Sequence, residues 1–248
     1  MKKLFLGLIL TSSLIACKKE TKLPSTNISG TKTDTTNVVD QPTSGYGPNI
    51  TDIDGNTYKT VFIGTQQWMA ENLKVSKYND GTKILNITDD IEWSNLNQAS
   101  WVYYNNDLSQ NKKYGKLYNW YVLNLSTNGN KNLCPTGWHI PSENEWTVLT
   151  EYLGGENIAG GKMKEVGTIN WSDPNTDATN ISLFNGLPGG FRFSSGYYTY
   201  IHYIGSWWSS TENDIDNAWK INLVRNNSLA NIKLEHKNSG LSVRCIKD

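Results

Sequence analysis

The chain has 248 residues, with 23 Lys+Arg against 23 Asp+Glu, so its formal net charge is zero. That balance leaves no basic field to attract nucleic acid and no acidic field to attract cationic partners. With 10 Trp and 13 Tyr against 5 Phe, 21 Gly and modest apolar content, the composition suits a loop-rich, strand-containing extracellular domain better than a helical one.

Met1-Lys2-Lys3 is a short basic start, and Leu4 to Ala16 follows without a charge. That run is too short to span a bilayer, which needs about 20 apolar residues, and has the layout of a secretory signal. It ends in Leu14-Ile15-Ala16-Cys17, which resembles the lipobox of bacterial lipoproteins; an ordinary signal with a chance cysteine is the alternative. On the lipobox reading residues 1–16 are removed, the Cys17 thiol carries lipid, and two or more acyl chains anchor the chain stably on a membrane. Lys18 is not the aspartate of inner-membrane retention, so the outer membrane is the expected place, with the domain facing the periplasm or the medium. Residues 17–47 are rich in Thr, Ser, Asn, Lys and Pro. They cannot bury enough apolar surface to repay ordering and read as a disordered tether with a span of roughly 30 Å. Asp34-Thr35-Thr36 within it resembles a bacterial O-glycosylation signal.

A folded domain is expected from about Pro48 to Asp248. Asp54-Gly55 separates two strand-like runs, the second alternating from Thr57 to Trp68, which is a hairpin signal. Asp52, Asp54 and Asn56 also open like an EF-hand loop, but its sixth position would be Thr57 and its twelfth Ile63, so the turn is preferred. Leu117 to Leu125 reads as a short helix. A second begins after Pro141, where Ser142 and Glu145 form a capping box and Trp146, Leu149 and Leu153 recur on one face. Gly154-Gly155 stops it. Gly160-Gly161-Lys162 lacks the surroundings of a P-loop and reads as a loop. From Leu183 onward short aromatic strands are broken by Gly, Asn and Ser.

An exported chain meets an oxidising compartment, so Cys134 and Cys245 read as a disulfide. It would close a loop of about 110 residues, worth roughly 4 to 5 kcal/mol. Two free thiols or a metal pair remain the alternative, although a metal site wants further ligands at short spacing, and His139, His202 and His236 are scattered. No metal, no cofactor and no catalytic set is expected. Glu143 and Glu145 point to different faces of their helix, and His139 is expected to be structural. Trp68, Trp120, Trp138, Trp146, Trp207, Trp208 and Trp219 are expected in the core. Between Gly196 and Gly205 lie Tyr197, Tyr198, Tyr200, His202 and Tyr203, a density of rings that points to a recognition surface; an ordinary aromatic strand pair is the alternative. Strict alternation would put Tyr198 and Tyr200 on one face and Tyr197 and Tyr203 on the other. Trp93 and Trp101 are weaker candidates for the same role.

The segments from Thr51 to Lys74 (TDIDGNTYKTVFIGTQQWMAENLK), then YGKLYNWY, CPTGWHIPSENEW, LPGGFRF, WWSSTEN and GLSVRCIKD, resemble the Fibrobacter succinogenes major paralogous domain, a family common in bacterial lipoproteins. Both Cys134 and Cys245 sit inside these motifs, which supports their pairing. The family in turn resembles the C-type-lectin-like and formylglycine-generating-enzyme fold, through WHIPSENEW and the closing GLSVRC. The resemblance implies an α+β class: two short helices around twisted antiparallel sheets, the chain ends close together, and the disulfide joining the region before the second helix to the last strand. The copper-binding cysteine pair of the enzyme branch has no counterpart, because no third cysteine remains in the domain. The calcium tripeptides of the sugar-binding lectins are absent too; Tyr78-Asn79-Asp80 is only a near miss. The implied role is a non-catalytic module on a lipid tether that binds a glycan or a protein. A structural envelope protein, or an enzyme of the same fold with an unrecognised site, is the alternative.

Overall fold

The computed structural model describes residues 45–248. The expected signal segment, Cys17, Asp34-Thr35-Thr36 and nearly all of the expected tether lie outside the described residues. Among those described, no helix is long and apolar enough to cross a membrane.

The Asp-Gly turn forms as expected. The Asp52 carboxylate accepts from the backbone N–H of Asp54 and Asn56, both at 2.9 Å, and from the Tyr58 hydroxyl at 2.5 Å. This joins β1 (Gly45–Thr51) to β2 (Thr57–Ile63). The first strand therefore starts at Gly45, with a bulge between Gly47 and Ile50, where Pro48 has no N–H to give the ladder. The alternating run to Trp68 is not one strand. It turns at Gly64-Thr65 and returns as β3 (Gln66–Met69).

Three short strands follow, β4 (Leu85–Asn86), β5 (Ser100–Val102) and β6 (Leu117–Tyr118), with α1 (Asp90–Ser94) and α2 (Asn111–Tyr114) between them. The helix expected over Leu117–Leu125 is absent: β6 is followed by a single 3-10 turn, Trp120–Val122. The backbone donors here are claimed from afar. Tyr118 N–H donates to Leu241 O at 2.8 Å, Asn119 to Ser100 O at 3.1 Å and Trp120 to Lys237 O at 2.8 Å. Remote partners override the local propensity.

After β7 (Trp138–His139), α3 (Glu143–Tyr152) carries the expected capping box, and Trp146, Leu149 and Leu153 are buried. The second substantial helix is α4 (Glu156–Met163); it contains the Gly160-Gly161-Lys162 expected as a loop. Glycine is there for close approach. A Cβ on Gly160 would lie 2.2 Å from Leu229 O, and one on Gly161 2.6 Å from Asp177 O. Then come β8 (Gly189–Arg192), β9 (Tyr198–Ile201), β10 (Ile204–Glu212), β11 (Asn217–Val224), β12 (Ala230–His236) and β13 (Ile246–Lys247).

The class is α+β. One sheet has the order β1-β2-β3-β13-β7, so the first and last strands of the domain share it; a second runs β12-β11-β10-β8-β9, and a third β4-β5-β6. Cys134 and Cys245 form a disulfide with a Cα–Cα distance of 6.0 Å, inside a core that includes Tyr118, Trp120, Leu133, Trp208 and Val243. A neighbouring core is built on Trp68, Trp146, Phe184 and Trp207. Trp219 departs from the expected core set: it is only half-buried, opposite the exposed Leu234. The other end of that hairpin, at Leu229-Ala230, is the one α4 covers.

Long loops and short strands leave buried carbonyls with lone pairs that the ladders do not fill, and unpaired ones are costly. Buried side chains supply the donors. The Lys164 ammonium reaches Thr176 O, Val224 O and Asn227 O at 2.8, 3.1 and 2.8 Å, and burial pushes its pKa down to about 8. The Arg244 guanidinium reaches Asn72 Oδ1 at 2.9 Å, Phe184 O, and Asn185 O at 3.0 Å. The indole N–H groups of Trp208, Trp120 and Trp171 serve Tyr118 O, Ser209 O and Gly186 O.

Gly160 gives a test with an inverted sign. Gly→Ala inside a helix normally stabilises by about 1 kcal/mol. Gly160→Ala is expected to destabilise by about 2 kcal/mol or more, because the obstructing atom is a backbone carbonyl that cannot rotate away. Urea unfolding measures this, and a stabilised variant would contradict the packing described for α4.

Candidate functional site

The tyrosine-rich segment forms β9 and the turn into β10. Its partner is β8, with Phe191 opposite Thr199 and Arg192 opposite Tyr198. Arg192 fixes this hairpin to the rest of the domain. It is fully buried. Its Nε donates to Gly196 O at 2.8 Å, Nη1 to Ile87 O at 2.8 Å, and Nη2 to Thr88 O at 3.0 Å and to Asp90 Oδ1 at 2.7 Å. Its guanidinium stacks 4.4 Å from the Trp93 ring and 4.8 Å from the Tyr198 ring. Trp93 and Trp101 are thus core residues, 0% and 8% exposed, and neither belongs to a surface.

Strict alternation fails in β9. Tyr200 has φ +60° and Gly190, on the facing strand, φ +62°. A Cβ on Gly190 would meet Thr199 O at 2.4 Å. For a bulky residue a left-handed backbone is an outlier, and such strain often marks functional segments. The kink separates two side chains that a regular strand would put together. Tyr198 stays with Arg192; its hydroxyl donates to Asn106 Oδ1 at 2.7 Å and its ring meets Tyr104 edge-on. Tyr200 crosses to the other face and lies over Phe191 at 5.6 Å, tilted by 33°.

On that face a strip of rings is open to solvent. Phe193 is edge-on to Phe191 at 4.9 Å and 6.4 Å from Tyr200. The Phe193 N–H donates to Tyr197 O at 2.8 Å, so Tyr197 stands across the hairpin on the same face. Exposures are 37% for Phe193, 69% for Tyr197 and 47% for Tyr200. Sequence reasoning missed Phe193, which was assigned to a strand motif; its place two residues beyond Phe191 was the available signal. The other candidates lie elsewhere. Tyr203 stacks 4.6 Å from the Arg225 guanidinium. His202 uses Nδ1 on Asn170 O at 2.8 Å and so pins a neighbouring loop.

A separate cleft of about 570 Å³ is lined by Trp120, Leu123, Leu133 and Ile140, with Lys131 and Glu212 also lining it. His139 reaches its wall with both nitrogens engaged: Nε2 with Glu145 Oε1 at 2.9 Å and Nδ1 with Asp248 Oδ1 at 2.6 Å. A ring so held has no free lone pair to act as a base. The cleft joins segments remote in sequence, so no local pattern announced it. Among the described residues no three His, Cys, Asp or Glu side chains gather where they could hold a metal ion.

The family model of the Fibrobacter succinogenes major domain matches residues 61–247. No curated protein and no solved structure matches the chain.

His139 gives a pH prediction. Burial pushes its pKa down, but the hydrogen bonds to Asp248 and Glu145 and their charges outweigh burial and leave it raised. A folded value above the unfolded one of about 6.5 means the contribution is complete below that value and is lost as pH rises through the folded value. The stability difference between the wild type and His139→Gln should therefore shrink between neutral and alkaline pH in chemical unfolding. A difference constant across that range would contradict the imidazolium clamp.

Proposed function

We propose that this chain, which belongs to the Fibrobacter succinogenes major domain family, is a lipid-tethered envelope protein whose domain binds a glycan or protein ligand and catalyses nothing. Membership of the family suggests a surface or envelope protein. The finer reading adds the anchor at Cys17, the outer membrane, and a lectin-like architecture. Its supports are the lipobox sequence Leu14-Ile15-Ala16-Cys17 and a domain whose first and last strands share one sheet.

The observation that carries the binding role is the strip of Phe193, Tyr197 and Tyr200. Three exposed rings on one hairpin face gain nothing for the fold by being exposed, whereas a ligand that covers them gains apolar contact and stacking. Phe191 backs Tyr200, and Arg192 anchors the hairpin from behind, so the platform is held in place before a ligand arrives, which lowers the ordering cost of binding. The partners on this reading are a membrane, through the anchor, and a glycan or surface protein; nucleic acid is not among them.

Two measurements test this. Glycan-array and pull-down screens should return a ligand for the wild type. The double variant Phe193→Ala/Tyr200→Ala should lose it by about tenfold or more, with a melting temperature that changes little. A variant that keeps the ligand, or one that unfolds, would remove the strip as the binding surface. Cys17→Ala should move the protein from the membrane fraction to the soluble one. Unchanged membrane association would refute the anchor and leave the binding surface to be judged separately.

A further inference from the structure

Sheet edges expose unpaired backbone groups, and folded chains usually shorten, kink or cover them. Among the described residues five of the six sheet edges are managed in this way. β1 carries Pro48 and a bulge. β4, β6 and β7 have two residues each. β9 has four, with the left-handed Tyr200 among them. β12 is different. It has seven residues, no proline and no bulge, and it pairs with β11 at every position, yet it ends the strand order of its sheet. Lys237 N–H donates to Asp216 O at 2.9 Å in the same register. Glu235, Lys233 and Asn231 therefore exchange hydrogen bonds with β11, while Ile232 and Leu234 turn their backbone N–H and C=O outward. Neither finds a backbone partner on that side among the described residues. Leu234 is also 43% exposed, opposite the half-buried Trp219 and at the end of the hairpin away from α4.

We propose that β12 is a dimerisation edge, pairing antiparallel with β12 of a second copy of this chain about a two-fold axis at Leu234. In that register Leu234 lies opposite Leu234 of the second copy, and the two exchange their outward N–H and C=O groups. Ile232 lies opposite His236 of the second copy. The His236 carbonyl already accepts from Ser239 N–H at 2.8 Å, and its second lone pair faces the new strand. Because each Leu234 stands opposite Trp219 in its own sheet, the joined sheets carry one row of Trp219, Leu234, Leu234 and Trp219, in which both exposed leucines are covered. On the other face Lys233 of each copy meets Glu235 of the other. Within one chain Lys233 opposes Lys220, a like-charge relation that destabilises a sheet. Glu235 pairs with Lys220 at 2.5 Å, and Lys233 has no ion pair among the described residues. The second copy brings Lys233 a carboxylate. Sliding the copies by two residues would set Lys233 against Lys233, so charge selects the register. Such a contact closes on itself and recruits no third copy, which keeps an open edge from aggregating.

The test is sedimentation equilibrium of the purified full-length chain in density-matched detergent, joined to chemical crosslinking. The wild type should sediment as a dimer at micromolar concentration. Lys233→Glu sets a carboxylate against Glu235 of the second copy, yet within its own chain it faces Lys220 favourably. It should weaken the dimer about tenfold or more and leave the circular dichroism of the fold unchanged. Leu234→Cys should be joined to its own counterpart by a short bis-maleimide, because opposed Cα atoms lie about 5.5 Å apart. Ile53→Cys, comparably exposed but in the β1–β2 turn, should not be joined. A monomeric wild type would make Lys233 a guard of the edge and overturn the proposal. So would a dimer that Lys233→Glu leaves intact, or crosslinking as strong at Ile53→Cys as at Leu234→Cys.

Discussion

The Arg244 guanidinium is buried completely and makes no ion pair among the described residues. Taking such a charge out of water costs several kcal/mol. Compensation comes from Asn72 Oδ1 and the carbonyls of Phe184 and Asn185, with Phe184 and Trp207 flanking the cation at 4.1 and 5.4 Å. Burial pushes its pKa down to about 9, so it remains charged at neutral pH. The same solution recurs at Lys164 and, with an ion pair to Asp90 added, at Arg192. In a domain whose strands are short and whose loops are long, these cations substitute for ladders. Each collects carbonyls from segments far apart in sequence, and removing one would strand several acceptors at once.

That constraint also positions the candidate binding surface. Arg192 belongs to β8, yet its donors reach the Gly196 turn and the entry to α1. The hairpin is therefore held from the face of Arg192; on the opposite face Phe191 enters the core while Phe193, Tyr197 and Tyr200 stay exposed. The left-handed pair Gly190 and Tyr200 moves one ring across to that opposite face. Of the four tyrosines in this segment only Tyr198 is turned into the fold; Tyr197, Tyr200 and Tyr203 are 69%, 47% and 45% exposed. Tyr198 and Tyr203 stack on arginines, while Tyr197 and Tyr200 stay open with Phe193.

The tryptophans follow the same economy. A buried indole fills a large volume and still has one N–H to place. Here that N–H goes to loop carbonyls at Trp101 and Trp171 and to carbonyls of strands at Trp120 and Trp208. The abundance of Trp and Tyr over Phe in the composition has its physical reason in this: irregular backbone needs donors inside the core, and Phe has none.

Features closed by local chemistry were legible in the sequence. The Asp54-Gly55 turn, the Ser142–Glu145 capping box and the buried Trp146-Leu149-Leu153 face each depend on residues a few positions apart, where periodicity and side-chain reach decide the outcome; the α+β class came from the family resemblance. The pairing of Cys134 with Cys245 was read from the expected export and the cysteine count, and the ordered motifs of the family resemblance supported it. What only the tertiary structure decided depends on distant backbone. Leu117–Leu125 gave up a helix because its donors found Leu241, Ser100 and Lys237. Gly160-Gly161 entered one because Leu229 and Asp177 lie against it. The separation of Tyr198 from Tyr200 was settled by Arg192, Gly190 and a reversed φ at Tyr200. A sequence records which groups must be satisfied; which remote partner satisfies each is fixed only when the chain packs, because buried polar groups take whichever donor or acceptor the fold brings within hydrogen-bond reach.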